Sequence, residues 1–369
     1  MKRIILLMMF FSHSLFCFAQ NSEAQDSTGI TNYNTNIIWT KNIGDTLIHL
    51  TAGGNKIFAS AADGKVFCFD LNGNLLWQYN SHKKIISSPL DYNGNLILAA
   101  LSGDLISLND STGDVVQSIG LDEPLTAPLV NFGTNYNGQQ TEAVLAGSSI
   151  GSIFCYDINS FEMLWENQSA KGEILSAPLE INHKIIYTSV DGFLYCVDSR
   201  SGMLIWKWSP EKDNKISFAE CSPVSDGKSV FICTPAGSLF SIDLMLGTTN
   251  WENNSYNCYP SLSISENKEF LLLKSRNDYF YFVNTKNGRE RKRLSLNYGE
   301  DNSIAQLLVF NGNVLFGTQI GNLYLIGKTF NWTMLFSTPN SQVQSLVYVA
   351  DNTFAAVNSS GDLILFRLK

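Results

Sequence analysis

The chain has 369 residues, of which 44% are hydrophobic and 16% charged, so it has enough apolar surface to fold and too little charge for an intrinsically disordered chain. The formal net charge of -8, with no basic run longer than residues 289–293, argues against binding to nucleic acid or anionic lipid. No segment beyond the N-terminus reaches the roughly 18 apolar residues of a membrane-spanning helix.

The N-terminus predicts a signal peptide over residues 1–19. Lys2 and Arg3 precede an apolar run over residues 4–11, and residues 17–19 match a small-x-small cleavage site. Bulky residues before Cys17 disfavour lipidation of that cysteine. We therefore expect an exported protein, periplasmic or associated with the outer membrane rather than extracellular, with residues 20–35 as a flexible segment.

From residue 63 onward the chain repeats one pattern: a turn glycine, a short apolar run and an aspartate. It is clearest in residues 63–70, 150–157, 191–198 and 236–243, and weaker copies start at residues 102, 277, 320 and 360. The central turn residues lie 39 to 48 residues apart, a period typical of propellers and solenoids. These residues are Gly64, Gly103, Gly151, Gly192, Gly237, Asp278, Gly321 and Gly361.

Each period predicts four short strands. Two apolar strands joined by a turn such as Asn93-Gly94 precede the central glycine, and two more strands joined by a Ser/Thr-Gly turn follow it. Four antiparallel strands per period indicate a propeller blade. The sequence therefore predicts an all-β, eight-bladed propeller over residues 36–369, with residues 133–141 as an enlarged hairpin loop.

Tryptophans mark the end of the fourth strand in several units. Four of them follow their unit's aspartate by seven or eight residues: Trp77, Trp165, Trp206 and Trp251. The eighth unit ends at Lys369 without a fourth strand, whereas an Ile-Ile-Trp run ending at Trp39 precedes the first unit. We expect this N-terminal strand to complete the last blade and close the ring, which removes the open sheet edges.

An aspartate, a Ser/Thr-Gly turn and a tryptophan, as in residues 198–206, resemble the tryptophan-docking repeat of the pyrroloquinoline-quinone-like (PQQ-like) propellers. The resemblance covers residues 36–369. It implies that Trp39 and the four tryptophans above pack between neighbouring blades, where the turn glycine leaves room for the ring. The family includes quinone-dependent dehydrogenases, the BamB-type outer-membrane barrel assembly factor and exported proteins that bind no quinone.

An oxidoreductase is one alternative that this resemblance leaves open. Such an enzyme would need a quinone pocket, a Ca²⁺ site of carboxylate and amide oxygens and a catalytic aspartate. The dehydrogenases of the family also carry two adjacent cysteines and large covering loops, whereas no two cysteines are adjacent here and the blades are nearly minimal. We expect no cofactor, no bound metal and no catalytic residues.

The cysteines are explained by packing. Cys68, Cys155 and Cys196 occupy one strand position, where other units carry serine, so the position favours a small buried residue. Equivalent positions in different blades are too far apart for a disulfide.

Cys221 and Cys233 fall within one hairpin, but a turn at residues 226–227 would place Cys221 opposite Ile232. We expect no disulfide framework and no zinc site.

The remaining polar residues predict no catalytic constellation. His49, His82 and His183 lie in or near turns of different blades, and no Ser/His/Asp arrangement can be recognised. The recurring aspartate at the end of the third strand is interpreted as a cap of the following turn.

These observations favour a non-enzymatic, monomeric scaffold that binds an envelope protein, with a possible relation to outer-membrane protein assembly. A quinone-dependent dehydrogenase and a propeller that binds a small molecule or carbohydrate are the alternatives. Longer loops at residues 131–141, 209–218 and 297–303 are predicted to form one binding face, with Tyr136, Trp208 and Tyr298 as candidate anchors. Alternatively, each of these rings is an ordinary exposed or rim-packed aromatic.

Overall fold

Short apolar runs, each ended by glycine, asparagine or aspartate, form β-strands because the apolar residues suit a buried pleated surface and the turn residues reverse the chain. The computed structural model describes residues 35–44, 47–210, 218, 221–258, 260–303 and 305–369. These residues form strands β1 to β32 and no helix. Within them, accordingly, no helix has the length and apolar character to cross a membrane. The predicted signal peptide and nearly all of the predicted flexible segment lie outside the described residues.

The strands form eight four-stranded antiparallel sheets, which are the blades. The closing strand is β1 (Thr35–Asn42). Blade 1 contains β2 (Leu47–Gly53), β3 (Lys56–Ala61), β4 (Lys65–Asp70) and β5 (Leu75–Asn80). Blade 2 contains β6 (Leu90–Tyr92), β7 (Asn95–Ala99), β8 (Asp104–Asn109) and β9 (Val115–Gly120). Blade 3 contains β10 (Val130–Tyr136), β11 (Gln139–Gly147), β12 (Ile153–Asp157) and β13 (Met163–Asn167). Blade 4 contains β14 (Leu179–Ile181), β15 (Lys184–Thr188), β16 (Leu194–Asp198) and β17 (Leu204–Trp208).

The second half of the chain follows the same order. Blade 5 contains β18 (Val224–Ser225), β19 (Ser229–Cys233), β20 (Leu239–Asp243) and β21 (Thr249–Asn253). Blade 6 contains β22 (Leu262–Ile264), β23 (Phe270–Lys274), β24 (Asn277–Asn284) and β25 (Glu290–Glu300). Blade 7 contains β26 (Leu308–Phe310), β27 (Asn313–Gly317), β28 (Asn322–Ile326) and β29 (Trp332–Ser337). Blade 8 contains β30 (Val343–Ala350), β31 (Thr353–Asn358), β32 (Asp362–Leu368) and β1.

The N-terminal strand closes the ring, as predicted. β1 pairs antiparallel with β32, with Trp39 opposite Leu365. We call the strands of each blade A to D, from the innermost outwards, because first strands of neighbouring blades contact one another, as β2 does with β6 and β30. The prediction of an eight-bladed propeller with four-stranded blades is confirmed.

The alternation of the strands gives the ring two faces. A–B turns lie at one end of each blade, together with the C–D turns of blades 1 to 7, and we call this end the front face. B–C turns and D-to-A connections lie at the other end, the back face. Hydrogen bonds between A–B turns of adjacent blades show that the blades share this orientation: the Asn182 side chain donates to the Gly227 carbonyl, and the Gly312 N–H donates to the Glu266 carboxylate. The insertion at residues 133–141 is a longer A–B hairpin of blade 3 on the front face.

The repeated glycines belong to the B–C turns on the back face. All seven have positive φ, between 79° and 98°. A Cβ at Gly64 would lie 2.1 Å from the Lys83 carbonyl oxygen, and one at Gly103 would lie 2.2 Å from that of Leu121. Glycine is required at these positions for two reasons: the backbone is left-handed there, and the connection to the next blade passes directly over the residue. In blade 6 the equivalent residue is Asp278 (φ 72°), whose carboxylate accepts hydrogen bonds from the backbone near the end of β25.

Candidate partner-binding surface

The five tryptophans singled out in the sequence lie between neighbouring blades. Each indole N–H donates a hydrogen bond of 2.9–3.1 Å to a backbone carbonyl in the C–D turn of the next blade. The acceptors for Trp39, Trp77, Trp165, Trp206 and Trp251 are the carbonyls of Leu71, Asp110, Ser199, Leu244 and Thr285, respectively. We call such a contact a docked joint.

The docked joint uses two small residues besides the tryptophan. One is the turn glycine of the next blade: a Cβ on Gly202 would lie 2.5 Å from the Trp165 ring. The other is the residue opposite the tryptophan on strand C, which is Cys155 for Trp165 and Ser241 for Trp251. A cross-strand partner shares the face of its neighbour, and four of the five indoles lie beside a small side chain there. This explains why cysteine and serine recur at that strand position. The exception is Trp39 in the closing strand, whose partner is Leu365.

Three joints lack the tryptophan, and in two of them the turn of the next blade lacks the glycine as well. In the third, between blades 7 and 8, no C–D turn is present, because β1 supplies strand D of blade 8. In blade 2, Gln117 stands at the tryptophan position and donates to the Asn159 carbonyl at 2.9 Å, and the turn residue of blade 3 is Phe161 at φ 55°. In blade 6, Lys292 stands there, and the turn of blade 7 carries Phe330 at φ 65°. The tryptophan and the glycine are therefore replaced together.

The joint between blades 6 and 7 contains the most deeply buried ion pair among the described residues. Lys274 Nζ lies 3.1 Å from Asp301 Oδ1, with side chains 1% and 2% exposed. Asp301 also accepts hydrogen bonds from Ser303 and from the Gln319 N–H of blade 7. Burial alone would raise the pKa of Asp301, but the Lys274 charge and these hydrogen bonds hold it below its ordinary value. Burial lowers the pKa of Lys274 despite the opposing charge of Asp301.

The structure corrects the expectation that three loop aromatics are available to a partner. Trp208 is buried on strand D of blade 4, where its N–H donates to the Thr249 hydroxyl. Tyr298 is buried at the end of β25, beneath Lys274, and its hydroxyl donates toward backbone carbonyls. Only Tyr136, half-buried at the tip of the blade 3 hairpin, reaches the surface. The apolar bodies of the other two rings fill the core instead.

The three loops predicted to form one binding face do not lie together. Residues 131–141 belong to an A–B hairpin on the front face, whereas residues 297–303 run from the end of β25 into the following D-to-A connection, on the back face. Most of residues 209–218 lie outside the described part of the chain. The prediction of one shared face is therefore wrong for the two loops that can be compared.

The recurring aspartates cap turns, as predicted. Asp198 Oδ1 accepts the backbone N–H groups of Arg200 and Ser201, both at 3.0 Å, and Asp243 Oδ1 accepts those of Met245 and Leu246, both at 2.8 Å.

Histidine and cysteine side chains are also engaged within the fold. His49 contacts the Ile86 carbonyl at 2.9 Å, and burial lowers its pKa despite that hydrogen bond. Burial raises the pKa of the Cys68 and Cys196 thiols to about 12. Among the described residues, no three histidine, cysteine or acidic side chains are grouped to hold a metal ion.

Sequence reasoning missed one exposed apolar turn, at Met245 and Leu246 in the C–D turn of blade 5. Their side chains are 64% and 71% exposed. The same turn positions of the other blades are polar: Asn72, Ser111, Thr112, Asn159, Ser160, Arg200, Ser201, Lys286, Asn287 and Thr329. Because Asp198 and Asp243 cap the blade 4 and blade 5 turns identically, the backbone does not require apolar residues here. Aligning the turns of the repeat would have revealed this exception.

A polar cleft borders the same part of the front face. It has a volume of about 860 Å³ and lies between blades 5 and 6, lined by both acidic and basic side chains that include Asp226, Lys228, Lys268 and Glu269. Met203, at the equivalent turn of blade 4, is 70% exposed. We call Met203, Met245, Leu246 and this cleft the front-face patch. Exposed apolar residues rimmed by polar ones are typical of protein-binding surfaces.

Comparison with known proteins gives one consistent family. A sequence model described as "Outer membrane protein assembly factor BamB" matches residues 24–208 and 151–369. A protein of that name from Moranella endobia is 20% identical over 285 residues, which are 74% of this chain and 66% of the relative. Another from Burkholderia pseudomallei is 25% identical over 312 residues, which are 78% of this chain and 75% of the relative. The chain thus spans just under two thirds of the Moranella relative.

Solved structures show the same architecture. The crystal structure of BamB from Moraxella catarrhalis superposes with a TM-score of 0.71 at 17% identity, over 90% of this chain and 99% of that one. At this identity the likeness concerns the fold alone.

Proposed function

Because the chain belongs to the family of the outer membrane protein assembly factor BamB, we propose that it is a non-enzymatic propeller of the cell envelope that binds a protein partner during outer-membrane protein assembly. The family match carries this proposal. The names of the relatives describe assembly rather than catalysis. Localisation in the periplasm or at the outer membrane follows from the same premise and from the predicted signal peptide.

The structural roles of the aspartate and tryptophan side chains support a scaffold rather than an enzyme. Aspartates that might have served as acids or bases cap turns, and the five singled-out tryptophans hold blades together. A ring of blades closed by β1 offers a rigid platform, on which loops carry recognition.

The partner contacts the front-face patch. Two large apolar side chains on a turn tip expose surface that contributes nothing to the fold, since the capped turn forms equally well with polar residues in blade 4. Burial of this surface by a partner would release the water around it and stabilise the complex. Flexible methionines adapt to a partner's shape, and the charged cleft beside them adds orientation.

The test replaces the apolar tip with the tip of blade 2. In the M245S/L246T variant, we expect an unchanged melting temperature and at least about tenfold lower recovery of the envelope partner, as for loss of a binding hot spot. The measurement is cross-linking in the producing cells, purification of the tagged chain and identification of captured proteins by mass spectrometry.

A matched control changes exposed apolar residues elsewhere. Val115 and Val116 lie on strand D of blade 2 and are 51% and 56% exposed, so V115T/V116T should retain the partner. Recovery of no outer-membrane assembly protein by the wild-type chain would contradict the proposed function. Equal recovery by both variants would refute the assigned surface but leave that function standing.

A further inference from the structure

Three buried cysteines meet at the joint between blades 5 and 6. Cys221 lies in the connection into blade 5, Cys233 ends strand B of that blade, and Cys258 lies in the connection into blade 6. The sulfur atoms of Cys233 and Cys258 are 3.0 Å apart. The Cys221 sulfur instead faces the carbonyl of its neighbour Ser222, at 4.0 Å.

The sequence predicted that Cys221 would lie opposite Ile232 in the hairpin of blade 5, and this pairing is not formed. β18 contains only Val224 and Ser225, and Val224 lies opposite Phe231. Cys221 precedes this strand, so it does not pair with Ile232. The partner of Cys233 comes from the next connection along the ring.

Other blades show which residues pack at the end of strand B, the position of Cys233, when no cysteine pair is present. The residues equivalent to Cys233 at the end of strand B include Gly147 in blade 3 and Gly317 in blade 7, since all three pair with the strand C residue six positions later. A Cβ on Gly147 would meet Ile174, and one on Gly317 would meet Val343. In blades 3 and 7 a small residue against an aliphatic one therefore fills this contact, and blade 5 places two thiols there instead.

We propose that Cys233 and Cys258 form a disulfide bond in the exported protein. Disulfides persist in exported proteins, and this inference therefore depends on the predicted signal peptide. The bond would join blade 5 to the connection whose Asn257 carbonyl accepts the Arg276 N–H of blade 6 at 3.1 Å. It would thus add a covalent link across a docked joint, that of Trp251.

The bond forms by two thiol–disulfide exchanges with an external disulfide, RSSR. One cysteine thiolate attacks RSSR and releases the first thiol as RS⁻, leaving a mixed disulfide. The second cysteine thiolate attacks the protein sulfur of that mixed disulfide and releases the second RS⁻. Two protein thiols lose two protons and two electrons, and RSSR becomes two RSH.

The folded core protects the thiols from this reaction. Cys233 and Cys258 are fully buried, and the contact with Cys258 together with burial raises the pKa of Cys233. Exchange needs an accessible thiolate, so the bond forms while the chain folds and forms slowly in a folded, reduced protein.

The experiment refolds the reduced, purified full chain from urea with glutathione disulfide and alkylates the remaining thiols. Digestion after Lys228 and Glu252 leaves Cys221, Cys233 and Cys258 on separate peptides. We expect a linked pair of peptides containing Cys233 and Cys258, which separates on reduction. Fully alkylated cysteines, or a link through Cys221, would overturn the proposal.

Two variants and one thermal measurement complete the test. C221S should keep the link, whereas C233A/C258V, which introduces the small–aliphatic packing of blades 3 and 7, should lack it. Oxidation should raise the melting temperature of the wild-type chain by about 5 °C, as closure of a loop of this length predicts. It should leave that of C233A/C258V unchanged, and an equal rise in both would also count against the bond.

Discussion

The joint between blades 3 and 4 and the joint between blades 6 and 7 solve one packing problem in two ways. In the first, Trp165 lies over Cys155 on its own blade and against Gly202 on the next. In the second, the position opposite Lys292 is Phe282, and Phe330 packs edge-on against it with ring centroids 4.8 Å apart. The three positions therefore share one volume, which is filled either by one large ring or by two rings from different residues.

The two joints also differ in how polar groups are buried. A docked joint buries one indole N–H and satisfies it with a single carbonyl, Ser199 for Trp165. The joint between blades 6 and 7 buries a full ion pair, Lys274 and Asp301, and surrounds it with hydrogen bonds and the Tyr298 ring. Such a pair is costly to break, because the remaining charge is left without a partner in a region of low dielectric.

The largest expected effect comes from breaking that ion pair. Asp301→Asn leaves the Lys274 ammonium buried without its counter-charge, and we expect it to lower the free energy of unfolding at pH 7 by about 3 to 5 kcal/mol. Urea denaturation followed by tryptophan fluorescence measures this change. Asp63→Asn is the control, since the Asp63–Lys65 pair is half-exposed and should contribute at most about 1 kcal/mol. Equal losses in both variants would contradict the prediction.

The pH dependence of the stability of the same variant gives a second test of the ion pair. The folded-state pKa of Asp301 lies below its unfolded value, so its contribution is present above the unfolded pKa of about 4 and is lost as the pH falls through the folded pKa. The difference in stability between wild type and Asp301→Asn should therefore shrink in acid. A difference that stays constant down to the acid transition would exclude this carboxylate as its source.

The next effect tests the glycine of a docked joint. Gly202→Ala would place a Cβ 2.5 Å from the Trp165 ring at a left-handed residue, and we expect a loss of about 3 kcal/mol in the free energy of unfolding. Gly94→Ala is the matched control, because Gly94 has φ +80° and nothing within 4 Å of a Cβ, so only about 1 kcal/mol of backbone strain is expected. Similar losses in the two variants would show that backbone strain rather than the ring requires glycine.

The smallest effect tests whether tryptophan and glycine act as a unit. In blade 2 the strand C residue opposite Gln117 is already the small Ser107, so Gln117→Trp with Phe161→Gly should rebuild a docked joint. We expect Gln117→Trp alone to destabilise the protein, because Phe161 occupies the turn. The double variant should be more stable than the sum of the single changes by about 1 kcal/mol, a coupling that a double-mutant cycle measures. Additive changes would show that the two positions are independent.

Much of the fold could be predicted because the repeat is local. Turn glycines, apolar runs and capping aspartates recur within each period, so strand number and order follow from contacts a few residues apart. Closure could also be predicted, since β32 lacked a partner and the strand of Trp39 lacked a blade. The candidate binding surface was harder to predict from the sequence, because an exposed turn such as that of Met245 differs from its equivalents only in side-chain polarity.

The eight blades, the four strands in each and the strand that closes the ring could be predicted from the sequence, because these features depend on short-range pattern and on the number of units. The contacts across the joints are set by the tertiary structure. It buried Trp208 and Tyr298, separated two predicted loops onto opposite faces, and brought Cys258 rather than Cys221 to the Cys233 sulfur. Such contacts depend on the angle and distance between neighbouring blades, which no local run of residues encodes.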